Sequence, residues 1–215
     1  MSRTRRMLQF SAMAVAFAVL LGCRDRASAP DVAPVHVLTE AEANARTVVP
    51  LTRTVSLDKP GVIADLDFDL PPPGPDADPT LVVGIRIEEQ TAKAMLARSG
   101  LLVQDGLPAK IKLQRLDGAQ ANDVELTRIG NDLKERITFG TDGLTPGVRQ
   151  ESVNGAMLRD AGLVEQGVIY TVLSFGFTVD PPPGRYHLRV ELLEGRPQLK
   201  DQQADLIVAY SGKSK

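Results

Sequence analysis

The 215-residue chain has no tryptophan, three tyrosines and only 4% aromatic residues. Sugar sites lean on exposed aromatic platforms, so this composition argues against a carbohydrate module. There is one cysteine, Cys23, which excludes an internal disulfide and any metal site built on several thiolates. The histidines are His36 and His187, far apart in sequence and without neighbouring ligand residues. No serine stands in a G-x-S-x-G elbow. With no catalytic set, the chain is not expected to be an enzyme, to carry a cofactor or to have a small-molecule substrate. There is also no surplus of positive charge. The net charge is −2, and the three arginines of the first 22 residues account for part of the basic total. The remainder is more acidic and carries no basic stripe, so nucleic acid is not an expected partner.

What is present is an ordinary folding composition, 43% hydrophobic and 24% charged, behind a tripartite leader. Arg3, Arg5 and Arg6 make a positive start, Phe10 to Leu21 is an unbroken apolar core, and Leu20-Leu21-Gly22-Cys23 closes it. The core is too short to cross a bilayer comfortably but fits a signal-peptide h-region. Leu20-Leu21-Gly22-Cys23 resembles the lipobox of bacterial lipoproteins, with apolar residues three and two positions before the cysteine and a small residue next to it. The resemblance implies a diacylglyceryl group on the Cys23 sulfur, cleavage between Gly22 and Cys23, and acylation of the new amino group. Two or three acyl chains anchor a protein stably. Arg24, where the family's inner-membrane proteins have Asp, implies the outer membrane with the domain facing the periplasm. The expected organisation is a signal peptide over 1–22, a lipidated flexible tether over 23–46, rich in Ala, Pro and charge at its start, and one domain over 47–215.

The domain alternates with period two, and the expected fold is mainly β, an antiparallel β-sandwich with one or two short helices. In Ala64 to Leu70, Leu66, Phe68 and Leu70 face one side and Asp65, Asp67 and Asp69 the other. Leu81–Ile87, Lys110–Gln114, Arg185–Leu192 and Ala204–Tyr210 alternate similarly, and 123–129 does so more weakly. Gly167 to Val179 is β-branched and aromatic, with Ile169, Leu173, Phe175, Phe177 and Val179 expected on its buried face. Glu88 to Arg98 reads as a helix with Gly100 as its C-cap, and Met157–Ala161 as a short helical turn. Two Pro-Pro-Pro-Gly segments, at 71–74 and 181–184, each separate strands. The stretch 130–166, with six glycines, reads as a long loop of the kind that is usually functional or mobile.

Asp65, Asp67 and Asp69 are the one weak calcium candidate, with Asp76 and Asp78 able to join from the following loop. A calcium loop needs glycine at the sixth position, where Leu70 stands, so a solvated acidic strand face is the favoured account. His36 and His187 read as surface residues. The layout, with Leu57-Asp58-Lys59-Pro60-Gly61 before the first clear strand and Pro183-Gly184-Arg185-Tyr186 at the start of a late one, resembles small β-sandwich envelope lipoproteins, some of them similar to immunity proteins. That resemblance implies a lipid-anchored envelope protein that binds another envelope or periplasmic protein, such as a secreted toxin; no functional residue carries over from it, and the contacts are expected from the loops at 71–80, 130–166 and 181–184. The alternative expectation is a structural or assembly accessory of an envelope or secretion complex. Replacing Cys23 by Ser is expected to abolish incorporation of radiolabelled fatty acid and move the protein from the membrane pellet to the soluble fraction. Persistent labelling would remove the lipobox reading.

Overall fold

The computed structural model describes residues 36–130, 132, 135–165 and 167–213. The leader, Gly22 and Cys23 lie outside the described residues, as does most of the expected tether. In chain order the first elements are α1 (Glu40–Ala45), β1 (Leu51–Val55), β2 (Gly61–Leu70), β3 (Ala77–Glu89), α2 (Ala92–Gln104) and β4 (Ala109–Asp117). Next come β5 (Gln120–Asp123), β6 (Thr127–Ile129), β7 (Arg136–Thr138), β8 (Leu144–Thr145), β9 (Arg149–Glu151) and α3 (Gly155–Asp160). The last three strands are β10 (Ile169–Val179), β11 (Gly184–Leu192) and β12 (Ala204–Gly212).

The protein is mainly β, with two antiparallel sheets packed face to face, as the alternation predicts. The smaller sheet runs β2-β11-β4-β5, with β8 added to β4. The larger runs β1-β12-β3-β10-β6-β7, with β9 added to β10. Between them lies one core. Leu81, Val83, Ile85 and Ile87 of β3 and Leu206, Val208 and Tyr210 of β12 meet Phe68, Leu70, Tyr186, Leu188 and Val190 of the facing sheet. Phe68 and Tyr186 stack across β2 and β11, ring centroids 5.7 Å apart.

Both triproline segments are tied to this core in the same way. Tyr186 donates its hydroxyl to the Pro182 carbonyl at 2.6 Å, and Tyr210 donates to the Pro71 carbonyl at 2.7 Å. Proline rings cannot continue a ladder, so a buried side-chain donor takes over where the strands stop. Burial raises the Tyr186 hydroxyl above its usual value and pushes Tyr210 up to about 12, so both remain donors at neutral pH.

Four sequence expectations are corrected in detail. Within the expected tether, residues 40–45 form helix α1, because Thr39 and Glu42 make a reciprocal capping box that starts it. Glu88 and Glu89 finish β3 rather than opening a helix. The helix starts at the Thr91 N-cap, whose side chain accepts from the Ala94 N–H, and it runs through Gly100 because Leu102 beyond it is buried in the core. In β10 the buried stretch is Val172 to Phe177 on both faces, while Ile169 and Val179, at the ends, are 41% and 50% exposed. The segment 130–166 is not a bare loop. It contains β7, β8, β9 and α3, and a second apolar cluster joins Leu158, Leu163 and Val164 to Val82, Val172, Phe177, Ile207 and Ala209 on the outer face of the larger sheet.

Replacing Tyr210 by Phe removes the donor to Pro71 and is expected to cost about 1–2 kcal/mol, seen as a lower urea midpoint at unchanged m-value. An unchanged midpoint would show that the carbonyl is as well satisfied by water.

Candidate functional site

The acidic residues singled out in the sequence lie on the outer face of the smaller sheet. Asp65 stands opposite Arg189, Asp67 opposite His187 and Asp69 opposite Arg185. His187 Nδ1 lies 2.9 Å from Asp67 Oδ1, Arg185 donates to Asp67 at 3.2 Å, and Arg189 pairs with Asp65. The carboxylates of Asp65 and Asp67 are turned to basic side chains of the next strand rather than toward one another. The His187 contact, then the Arg185 hydrogen bond and charge, hold Asp67 below its ordinary value of 3.8. Of the two residues able to join a calcium site, Asp78 lies in β3 and its carboxylate accepts from Thr80, while the Asp76 backbone carbonyl accepts from Asn154. Among the described residues no group of three or more His, Cys, Asp or Glu side chains converges as a metal site. His36 lies 3.7 Å from Glu42 on the exposed start of α1.

The larger concavity is on the other side of the molecule's core, on the outer face of the larger sheet, and its origin is visible in the strand register. Near α3, that face carries Val82, Ala209, Phe177 and Ile207, all covered. Toward the other end the register places Thr54, Asp205 and Arg86 side by side across β1, β12 and β3. These side chains are polar, and they border a groove of about 1250 Å³. Leu38, Ala43 and Asn44 wall it on one side, Thr91, Ala94 and Arg98 of the α2 region on another, and Leu163, Gly167, Val168, Ile169 and Asp201 to Gln203 complete the rim.

Two buried guanidinium groups fix the floor. The Arg86 side chain is 8% exposed; it donates to Asp205 Oδ2 from Nη2 at 2.7 Å and from Nε at 3.2 Å, reaches Glu88 at 3.3 Å and donates to the Leu163 carbonyl. Arg98 bonds Glu89 at 3.2 Å and the Gln203 carbonyl. Arginine suits this work because its planar fork binds several acceptors at once and stays charged. Each guanidinium thereby ties a strand end to the loop that forms the opposite rim. The lining holds five carboxylates, from Glu40, Glu88, Glu89, Asp201 and Asp205, against these two cations.

Of the three loops expected to make contacts, only the end of 130–166, through Leu163, reaches this groove; 71–80 and 181–184 do not line it. The groove was not visible as a sequence motif because its residues come from distant segments. Asp205 and Arg86 are 119 positions apart. The one signal that could have found its wall is the Thr39-x-x-Glu42 capping box.

The fold and groove define a class, a β-sandwich with a partly covered outer face that presents a polar, charge-lined groove. No family model, curated protein or solved structure matches this chain.

Substituting Met for Arg86 leaves Asp205 and the Leu163 carbonyl without their donor and is expected to cost about 2 kcal/mol or more. Adding Asp205→Leu should recover part of that loss, so a double-mutant cycle by chemical denaturation should give a coupling well above the ~0.5 kcal/mol seen for independent sites. Strict additivity would show that the pair does not fix the groove floor.

Proposed function

We propose that this chain is a lipid-anchored binding protein of the bacterial envelope, held through Cys23 in the outer membrane and engaging another envelope or periplasmic protein, such as a secreted toxin, in the groove of the larger sheet. The observation that carries the binding reading is the uncovered polar end of that sheet. Burying sheet faces is the general rule for such layers, and here one end of a face is left open, with its charged side chains already fixed in place. Preorganised polar groups lose little freedom when a partner arrives, which favours binding. A groove of about 1250 Å³, open along one side, has room for a segment of a folded partner. The anchoring part of the reading rests on the lipobox resemblance and the leader before it.

The experiment compares the full-length chain with a Gln90→Trp variant, both purified in detergent and used to capture proteins from envelope extracts. Gln90 is exposed on the rim and makes no contact in the core, so the variant should melt at the same temperature. A partner captured by the parent chain and lost, or weakened at least about tenfold, with the variant supports the reading. Partners retained equally by both, or none captured by either, would remove the groove as the binding site.

A further inference from the structure

The two sheets end on the same side of the sandwich in strands with one free edge, β1 and β2, and the structure treats these edges differently. The edge of β1 is sealed by side chains. Asn44 Oδ1 accepts from the Thr54 N–H at 2.8 Å, Arg53 Nη1 donates to the Thr52 carbonyl at 2.7 Å, and Arg46 Nε donates to the Pro50 carbonyl at 2.6 Å. Residues 50, 52 and 54 are the alternate positions whose backbone groups point away from β12, so each of these positions has one outward group engaged.

The edge of β2 is occupied at one end only. Asp69 donates its N–H to the Thr47 carbonyl at 2.7 Å and accepts from the Val49 N–H at 3.1 Å, in a short parallel bridge. The N–H and C=O of Asp69 therefore point away from β11. The register is unbroken from Asp69 to Asp65, so by the two-residue period the backbone groups of Asp67 and Asp65 point the same way. Among the described residues no strand pairs with them there. A cleft of about 390 Å³ lies between the end of β1 and Gly61 to Ile63, at the start of β2.

We infer that the free edge of β2 is a strand-addition site for an extended segment of another protein carrying Lys or Arg at alternate positions. An open edge is a template for an added strand, and Thr47–Val49 already pairs with this one at Asp69. Charge selects the occupant. The outer face of β2 is a row of Asp65, Asp67 and Asp69, which is flanked by Arg189, His187 and Arg185 on the β11 side and, among the described residues, is paired on the other side only at Asp69, by Val48. A basic strand would complete the alternation of charge across the sheet. A second copy pairing through its own β2 would set aspartate against aspartate, which disfavours self-association. This surface is separate from the groove, and the inference does not depend on what the groove binds.

The test uses the full chain, isotope-labelled in detergent micelles, and two synthetic peptides of equal length, one alternating lysine and valine and one alternating glutamate and valine. The lysine peptide is expected to slow amide exchange at Asp65 and Asp67 at least about tenfold, and the glutamate peptide to leave it unchanged. Asp67→Pro removes one outward N–H without touching the ladder to β11 and should weaken the lysine peptide at least about tenfold. Asp65→Asn/Asp67→Asn keeps the edge and should bind both peptides alike, which keeps the inference testable if the proline variant misfolds. No protection by the lysine peptide, equal protection by both peptides on the parent chain, or self-association abolished by Asp67→Pro would each overturn it.

Discussion

The larger sheet cannot be an ordinary half of a two-layer sandwich, because β3, β10 and β12 are apolar on both faces. Val82, Phe177, Ile207 and Ala209 face away from the main core, and leaving them in water would forgo roughly 1.5–3 kcal/mol for each of the larger side chains. Much else in the fold follows from this constraint. The segment after β9 folds back as α3 and places Leu158, Leu163 and Val164 over the apolar patch. Asn154 makes this economical. Its side chain accepts from the Ala156 and Met157 N–H groups as the N-cap of α3 and donates to the Asp76 carbonyl at 2.8 Å, so one residue starts the covering helix and pins it to the start of β3. The cover stops where the outward side chains turn polar, in the row of Thr54, Asp205 and Arg86, and the groove is what remains.

How much of this was legible depended on whether the information was local. The alternation in β2 and β11 is a local code for a sheet with one wet face, and both strands were readable, down to the acidic row. In β10 the same code fails. Residues 172–177 are buried on both sides, so no alternation separates the two faces, and the expectation that Ile169 and Val179 share a buried face mistook exposed strand ends for core. The α2 boundary failed for a related reason: EE and good helix formers suggest a helix from Glu88, but pairing of Glu88 with Tyr170 and Glu89 with Ile169 extends β3 until the Thr91 cap. The groove depends on strand order, which puts Asp205 next to both Thr54 and Arg86, and no spacing in the sequence expresses that neighbourhood.

The acidic row shows how one sequence feature serves two structural demands. Because the Asp69 backbone faces outward, the pairs with Arg185, His187 and Arg189 are the non-hydrogen-bonded kind, in which opposite side chains approach most closely. That spacing brings Asp67 to His187 and Asp65 to Arg189 without long side chains having to search for one another. These exposed pairs add little stability. Their larger consequence is for association, since a charged row beside an open edge discriminates among strands that could add there.

Helix α1 links these regions. Six residues with no buried side chain do not make a helix that stands on its own in water. It persists because its capping box satisfies the first turn and because Arg53 binds the Ala43 carbonyl while Asn44 binds Thr54. The same contacts that hold α1 in place seal the edge of β1 and set one wall of the groove. Loss of α1 would therefore unseal the β1 edge and widen the groove together, which makes the stretch just before β1 part of the binding architecture and more than a spacer.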